Sequence, residues 1–169
     1  APTLLEFFGL EPTADMQGKS LRQTVADDTP VRQAALFGIH GAHVNVTDGR
    51  YVYMRAPATR QNEPLFNYTH MPCHMRHIFS VEEMRNIELA EPFTFTKGCR
   101  TMKIPANGLW ENADTRTYRN WLWDTRTDPR QENPLDDAKI ERRMIDLLVS
   151  LMKDNDAPAE QFERLGLKA

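Results

Sequence analysis

Apolar and polar positions alternate most regularly between Ala34 and Arg55. Ala34-Ala35-Leu36-Phe37-Gly38-Ile39 is an apolar run of strand length. After Gly41, Ala42-His43-Val44-Asn45-Val46-Thr47 alternates, Asp48-Gly49 marks a turn, and Arg50-Tyr51-Val52-Tyr53-Met54-Arg55 alternates again. A period of two sends successive side chains to opposite faces, and Asp-Gly favours a type I′ turn because Gly accepts positive φ. The two arms are therefore expected to pair antiparallel. Val44 and Val46 share a face, as do Tyr51 and Tyr53 or Val52 and Met54, depending on register.

The pattern changes to three- and four-residue steps at Ile140, Met144, Leu147, Leu148, Leu151 and Met152, which predicts an amphipathic helix. Asp136-Asp137 ahead of it suits helix capping, and Ala157-Pro158 ends it, leaving a short tail to Ala169. Ser80-Val81-Glu82-Glu83 is a capping box, predicting a helix to about Ala90, before Pro92. Pro2 to Phe8, stopped by Gly9, reads as a short helix with Leu4, Leu5 and Phe8 on one face. Glu11 to Pro30 is a loop-rich connector. Ala56 to Phe79 has little pattern, and Arg100–Ile104 and Trp121–Asp124 are candidate strands. Together these predict an α+β fold: a small antiparallel sheet of about four strands packed against a C-terminal amphipathic helix, with short N-terminal and middle helices. Residues 1–30 form a helix and connector, and 31–169 the α+β part.

Composition narrows the classes. A chain of 169 residues with 40% hydrophobic and 27% charged residues has a globular balance. No apolar run approaches the ~18–20 residues a bilayer-crossing helix needs. Two cysteines are too few for a disulfide scaffold, and a net charge of -3 offers no basic excess for phosphates. A soluble chain with no nucleic-acid or membrane partner is expected, cytoplasmic or periplasmic. The opening Ala1-Pro2, without an initiator methionine, reads as the interior of a longer protein.

Candidate chemistry is sparse. Gly18-Lys19-Ser20 ends like a phosphate-binding loop, but Thr13 stands where the leading glycine belongs, so a turn is expected. His70, His74 and His77 cluster with Cys73. His70 and His74 would share a helical face for a metal pair, which Pro72 opposes. One of these histidines, or Arg76, is a candidate contact for an anionic substrate group. His40 and His43 flank the Gly41 bend between two strands and are candidates for facing a cleft. Trp110, Trp121, Trp123 and Tyr118 mix with Arg116, Arg119 and Arg126, a stacking pattern diluted by Glu111, Asp114 and Asp124. Asn45 and Asn67 head N-x-T triplets, which carry meaning only in a eukaryotic secretory route. No catalytic residue and no metal ligand set is assembled; the substrate-contact candidates are His40, His43, His70, His74 and Arg76.

Three segments together resemble the carboxy-terminal part of the sulfatase family, in the alkaline-phosphatase-like superfamily. Pro2-Thr3-Leu4-Leu5-Glu6-Phe7-Phe8-Gly9-Leu10-Glu11-Pro12 with Met16-Gln17-Gly18-Lys19-Ser20-Leu21 looks like the family's last catalytic-domain helix and G-x-S-L segment. Val46 to Tyr53 looks like its "dgryvy" hairpin, and Leu122 to Leu135 like its "LyDLexDPxExxNL" strand and turn into the closing helix. The resemblance implies a four-stranded antiparallel sheet and helix packed against an upstream catalytic domain. It also implies a parent enzyme that uses formylglycine and a divalent metal, usually calcium, on a small sulfate ester. Neither Cys73, followed by His74-Met75-Arg76, nor Cys99, followed by Arg100-Thr101-Met102, fits the C-x-P-x-R site of that conversion. No cofactor is therefore expected on these residues, whose implied role is to shape the substrate mouth or subunit contacts, with Ala56–Phe79 and Glu91–Gly98 as the segments to inspect. An independent binding or oligomerisation module, pairing with a second copy, and part of a phosphate or phosphonate monoester hydrolase are the alternatives.

Overall fold

The computed structural model describes residues 1–74, 77–106 and 119–168. The chain divides into two compact units, Ala1–Ala34 and Ala35–Ala169. In the first, α1 (Pro2–Phe7) has Pro at its first turn, and Gly9 at φ 69° follows its end. The expected loop connector contains a further helix, α2 (Arg22–Asp27), closed by Asp28 at φ 61°. Polar side chains rather than apolar burial hold this unit, which is why hydrophobic periodicity gave no sign of α2. Thr3 Oγ1 accepts from Leu21 N at 2.9 Å, and Arg22 pairs with Glu6 at 3.2 Å. Neither helix has a buried residue.

The second unit contains the sheets. β1 (Ala35–Gly38), β2 (Val44–Thr47), β3 (Tyr51–Arg55) and β7 (Trp121–Asp124) form an antiparallel four-stranded sheet in the order β1-β2-β3-β7. The register pairs Leu36 with Val46, Val46 with Tyr53, and Tyr53 with Leu122, so these four form one row on one face. α4 (Ala138–Asp154) packs across β1, β2 and β3. Val46, Tyr53, Met144 and Leu148 are fully buried, the core the alternating and helical patterns predict. Asp137 caps α4, its Oδ1 accepting from Lys139 N and Ile140 N at 3.0 Å each.

The hairpin turn differs from expectation. Asp48 N donates to Tyr51 O at 3.3 Å, so the central residues are Gly49 and Arg50, one step later than Asp-Gly suggested. Only Gly49, at φ 88°, takes the positive angle, as the first central residue of a type II′ turn does. The Asp48 carboxylate prevails over the usual pairing: its Oδ1 accepts from Arg50 N at 2.9 Å and Tyr51 N at 2.7 Å. Glycine is also required at Gly38, where a β-carbon would lie 2.7 Å from the His43 carbonyl oxygen.

A second sheet was not legible in the sequence. β4 (Phe66–Thr69), in the stretch read as unpatterned, pairs with β6 (Thr101–Pro105), which pairs in turn with β5 (Glu88–Ala90). The Arg100–Ile104 strand thus belongs here rather than to the four-stranded sheet. α3 (Val81–Met84) has its complete capping box but stops far short of Ala90. Pairing of Glu88, Leu89 and Ala90 with β6 takes the rest of the expected helix, a tertiary override of local propensity. A 3₁₀ turn spans Thr94–Thr96 within the Glu91–Gly98 segment.

The tail is also ordered. α5 (Ala159–Arg164) buries Phe162 and Arg164, and the following Leu165 is fully buried. Gly166 at φ 61° ends it, with Leu167 N donating to Phe162 O at 2.8 Å. α5 bonds the second sheet and the β1–β2 connection through polar groups: Glu160 accepts from Lys103 at 3.1 Å and from the Tyr68 hydroxyl, while Arg164 donates to Ala42 O at 3.2 Å. No helix among the described residues is long and apolar enough to cross a membrane.

Candidate functional site

A concave site lies beside the second sheet, a groove of about 340 Å³ lined by His40, Asn67, His74, Glu82, Glu83, Asn86, Pro105 and Ala106. Two of the residues singled out from sequence, His40 and His74, therefore meet in it. His40 follows β1, and its Nε2 lies 3.1 Å from the Phe66 carbonyl oxygen. A carbonyl only accepts, so Nε2 carries the proton of this bond. This bond joins the end of one sheet to β4 of the other.

His74 is held by Glu83, with Nε2 and Oε1 2.6 Å apart. The same carboxylate completes the capping box of α3: its Oε2 accepts from Ser80 N at 2.7 Å, and Ser80 Oγ accepts from Glu83 N at 3.2 Å. The Ser80 backbone bond, then the His74 bond and the Ser80 side chain, hold the Glu83 carboxyl down at about 2. His74 also stands edge-on to Phe79 with ring centres 4.2 Å apart, and 4.7 Å from the His77 ring. Residues 70–74 are not helical, and Cys73 and Ile78 form an antiparallel bridge, so the shared helical face considered for His70 and His74 does not exist.

The remaining candidates separate. His43 is buried, with Nε2 3.0 Å from the Arg119 carbonyl oxygen, and lies outside the groove lining. Burial pushes its pKa down, the Arg119 bond opposes this, and the Arg164 charge adds to the fall. His43 is thus held inside the fold by burial and its bond to the Arg119 carbonyl. His70 is exposed in the bend after β4 and does not line the groove. Arg76 lies outside the described residues, as do Trp110, Arg116 and Tyr118. Trp121 and Trp123 stack on each other at 5.7 Å, and Arg119 covers Trp121 at 4.7 Å, so the tryptophan pair is committed within the fold.

The groove can hydrogen-bond a ligand but holds no assembled nucleophile among its described residues. Asn67 and Asn86 offer amides, Glu82 a carboxylate, and His40 a ring nitrogen. The charge on a protonated His74 would be compensated by Glu83, so His74 is a poor free cation for an anionic group. Among the described residues no three His, Cys, Asp or Glu side chains come together as a metal-holding group. The sequence does not fit the formylglycine motif either. Glu83 was visible in the sequence as a capping residue; its pairing with His74 was not. Asn67, Asn86, Pro105 and Ala106 carried no local signal, because β4 was not legible and neither was its pairing with β6.

A second constellation ties the hairpin to the strand that closes the sheet. Arg50 Nε and Nη2 both donate to Asp124 Oδ2, at 3.0 and 2.6 Å, while Asp124 Oδ1 accepts from Arg126 N at 3.1 Å. Arg143 of α4 donates to Asp48 Oδ2 at 2.7 Å. The Arg50 and Arg143 guanidiniums lie over the Tyr51 ring, 4.7 and 5.3 Å from its centre. Burial raises the Asp48 carboxyl, but bonds from Tyr51, Arg143 and Arg50 outweigh it and hold the group below the usual range. The Arg50 bond, against opposing burial, lowers Asp124 as well.

No family model matches the chain, and no curated protein matches it in sequence.

Proposed function

We propose that this chain is the carboxy-terminal portion of a sulfatase, a sulfuric ester hydrolase, which shapes the substrate mouth or subunit contacts and leaves the chemistry to an upstream catalytic domain. The observation that supports this reading is how the resembling segments interlock. Asp48-Gly49-Arg50-Tyr51 and Asp124 come from separate segments, yet Arg50 joins them directly and Arg143 of the closing helix holds Asp48. In the first segment, Glu6 takes hydrogen bonds from Ser20 and Arg22, linking the leading helix to the G-x-S-L stretch. Residues that carry the resemblance are thus bonded to one another within each unit. A four-stranded antiparallel sheet with a closing helix is also the fold the resemblance implies, though a fold alone does not assign an activity.

On this reading the His40–His74 groove receives a part of the substrate, or of the neighbouring domain, away from the reacting sulfur. The parent enzyme would supply formylglycine and a divalent metal elsewhere. The purified 169-residue chain, assayed with an aryl sulfate and added calcium or magnesium, should give no turnover above buffer. Metal-dependent hydrolysis by the chain itself would overturn the proposal.

A further inference from the structure

The second unit carries another cleft, of about 900 Å³, between the flank of α4 and the Gly166–Lys168 segment. α4 has more apolar surface than its sheet covers. Met144, Leu148 and Met152 form the buried row, whereas Ile145 and Val149, one residue round the helix, are only half-buried and line the cleft. Half-buried Leu167 lies with them.

The charges around this apolar floor are unequal. Arg55 is already committed to Leu165 O at 2.8 Å and Gly166 O at 3.1 Å, and Glu141 accepts from the Tyr53 hydroxyl at 3.1 Å. That leaves Arg142, Lys153 and Lys168 against Asp146, all exposed and none in a hydrogen bond or ion pair among the described residues. Three free cations to one carboxylate around an apolar strip complement an acidic amphipathic partner. From Ala138 to Lys153 the helix rises about 22 Å, the length of about four turns of a second helix.

We propose that this cleft is a docking surface for an acidic amphipathic helix of a partner protein, its apolar face on Ile145, Val149 and Leu167 and its carboxylates against Arg142, Lys153 and Lys168. This does not rest on the sulfatase reading. The test uses the 169-residue chain and dye-labelled peptides of about 15 residues, with leucines at helical spacing and either glutamates or lysines elsewhere. Fluorescence anisotropy should show the glutamate peptide binding at least about tenfold tighter than the lysine peptide, and weakening with added salt. Reversing the three cations (R142E/K153E/K168E) should invert that preference, and Val149→Asp should weaken the glutamate peptide about tenfold while the circular dichroism spectrum is retained. Equal affinity for both peptides, no saturable binding, or a charge-reversed variant with unchanged preference would overturn the proposal. Self-association in sedimentation that Val149→Asp abolishes would assign the cleft to a second copy instead, and would overturn it equally.

Discussion

Replacing Leu148 by Ala tests the packing on which the second unit depends. Leu148 is fully buried on the face of α4 that meets β1, β2 and β3, beside the row that includes Val46 and Tyr53. The substitution removes three carbons, which at about 0.8 kcal/mol each amounts to about 2.4 kcal/mol of lost transfer free energy. A cavity that failed to close, of about 80 Å³, would add up to about 1.9 kcal/mol at ~24 cal/mol per Å³. The expected loss is therefore about 2.4–4.3 kcal/mol, the upper end applying because strands on one side and a helix on the other limit collapse. Leu147, one position round the helix and half-buried, provides the control and should lose less than half as much. Urea unfolding followed by circular dichroism and tryptophan fluorescence measures both variants. A Leu148→Ala loss below about 1 kcal/mol, or equal losses at both positions, would refute the assignment of the buried face.

Other expectations follow from single groups. Asp137→Ala should cost about 1 kcal/mol in the same unfolding assay, because two amides at the start of α4 lose their acceptor, while Asp137→Asn should recover most of it. Gly49→Val should destabilise by at least about 1 kcal/mol, since its φ of 88° is costly for a branched side chain. His43 has a folded pKa below its ordinary value, so the unfolded chain binds more protons as pH falls through about 6.5. Stability should accordingly decline from neutral pH towards pH 5, and His43→Gln should flatten that slope in pH-dependent melting. Glu83 has the opposite charge type: depressed to about 2, its contribution is present above the ordinary glutamate value and is lost as pH falls towards 2. Glu83→Gln should remove that acid-side slope.

What the sequence disclosed was what local periodicity encodes. The Val44–Arg55 alternation located the hairpin, and the Ile140–Met152 steps located α4, because each element buries one regular face. The Ser80–Glu83 box marked where a helix starts but could not say how far it runs; Glu88–Ala90 joins β6 through contacts more than ten residues away. β4 escaped because all four of its residues are half-buried, leaving no contrast between its faces. α5 is short and packs largely through Phe162, Leu165 and polar side chains, so its pattern never reached helical length. The groove was readable only as isolated histidines. Its wall comes from the end of β1, the middle of β4, α3 and the end of β6, and only the pairing of the second sheet brings those together. That Asp124 serves Arg50 across the sheet was equally invisible, although each sits within a segment whose resemblance could be recognised.

The measurement that bears most directly on the central proposal is the reading frame immediately upstream of the codon for Ala1. The account predicts a continuous frame encoding a C-x-P-x-R or S-x-P-x-R motif within a chain of sulfatase length. An initiator codon directly before Ala1, or a long upstream frame carrying neither motif, would contradict it.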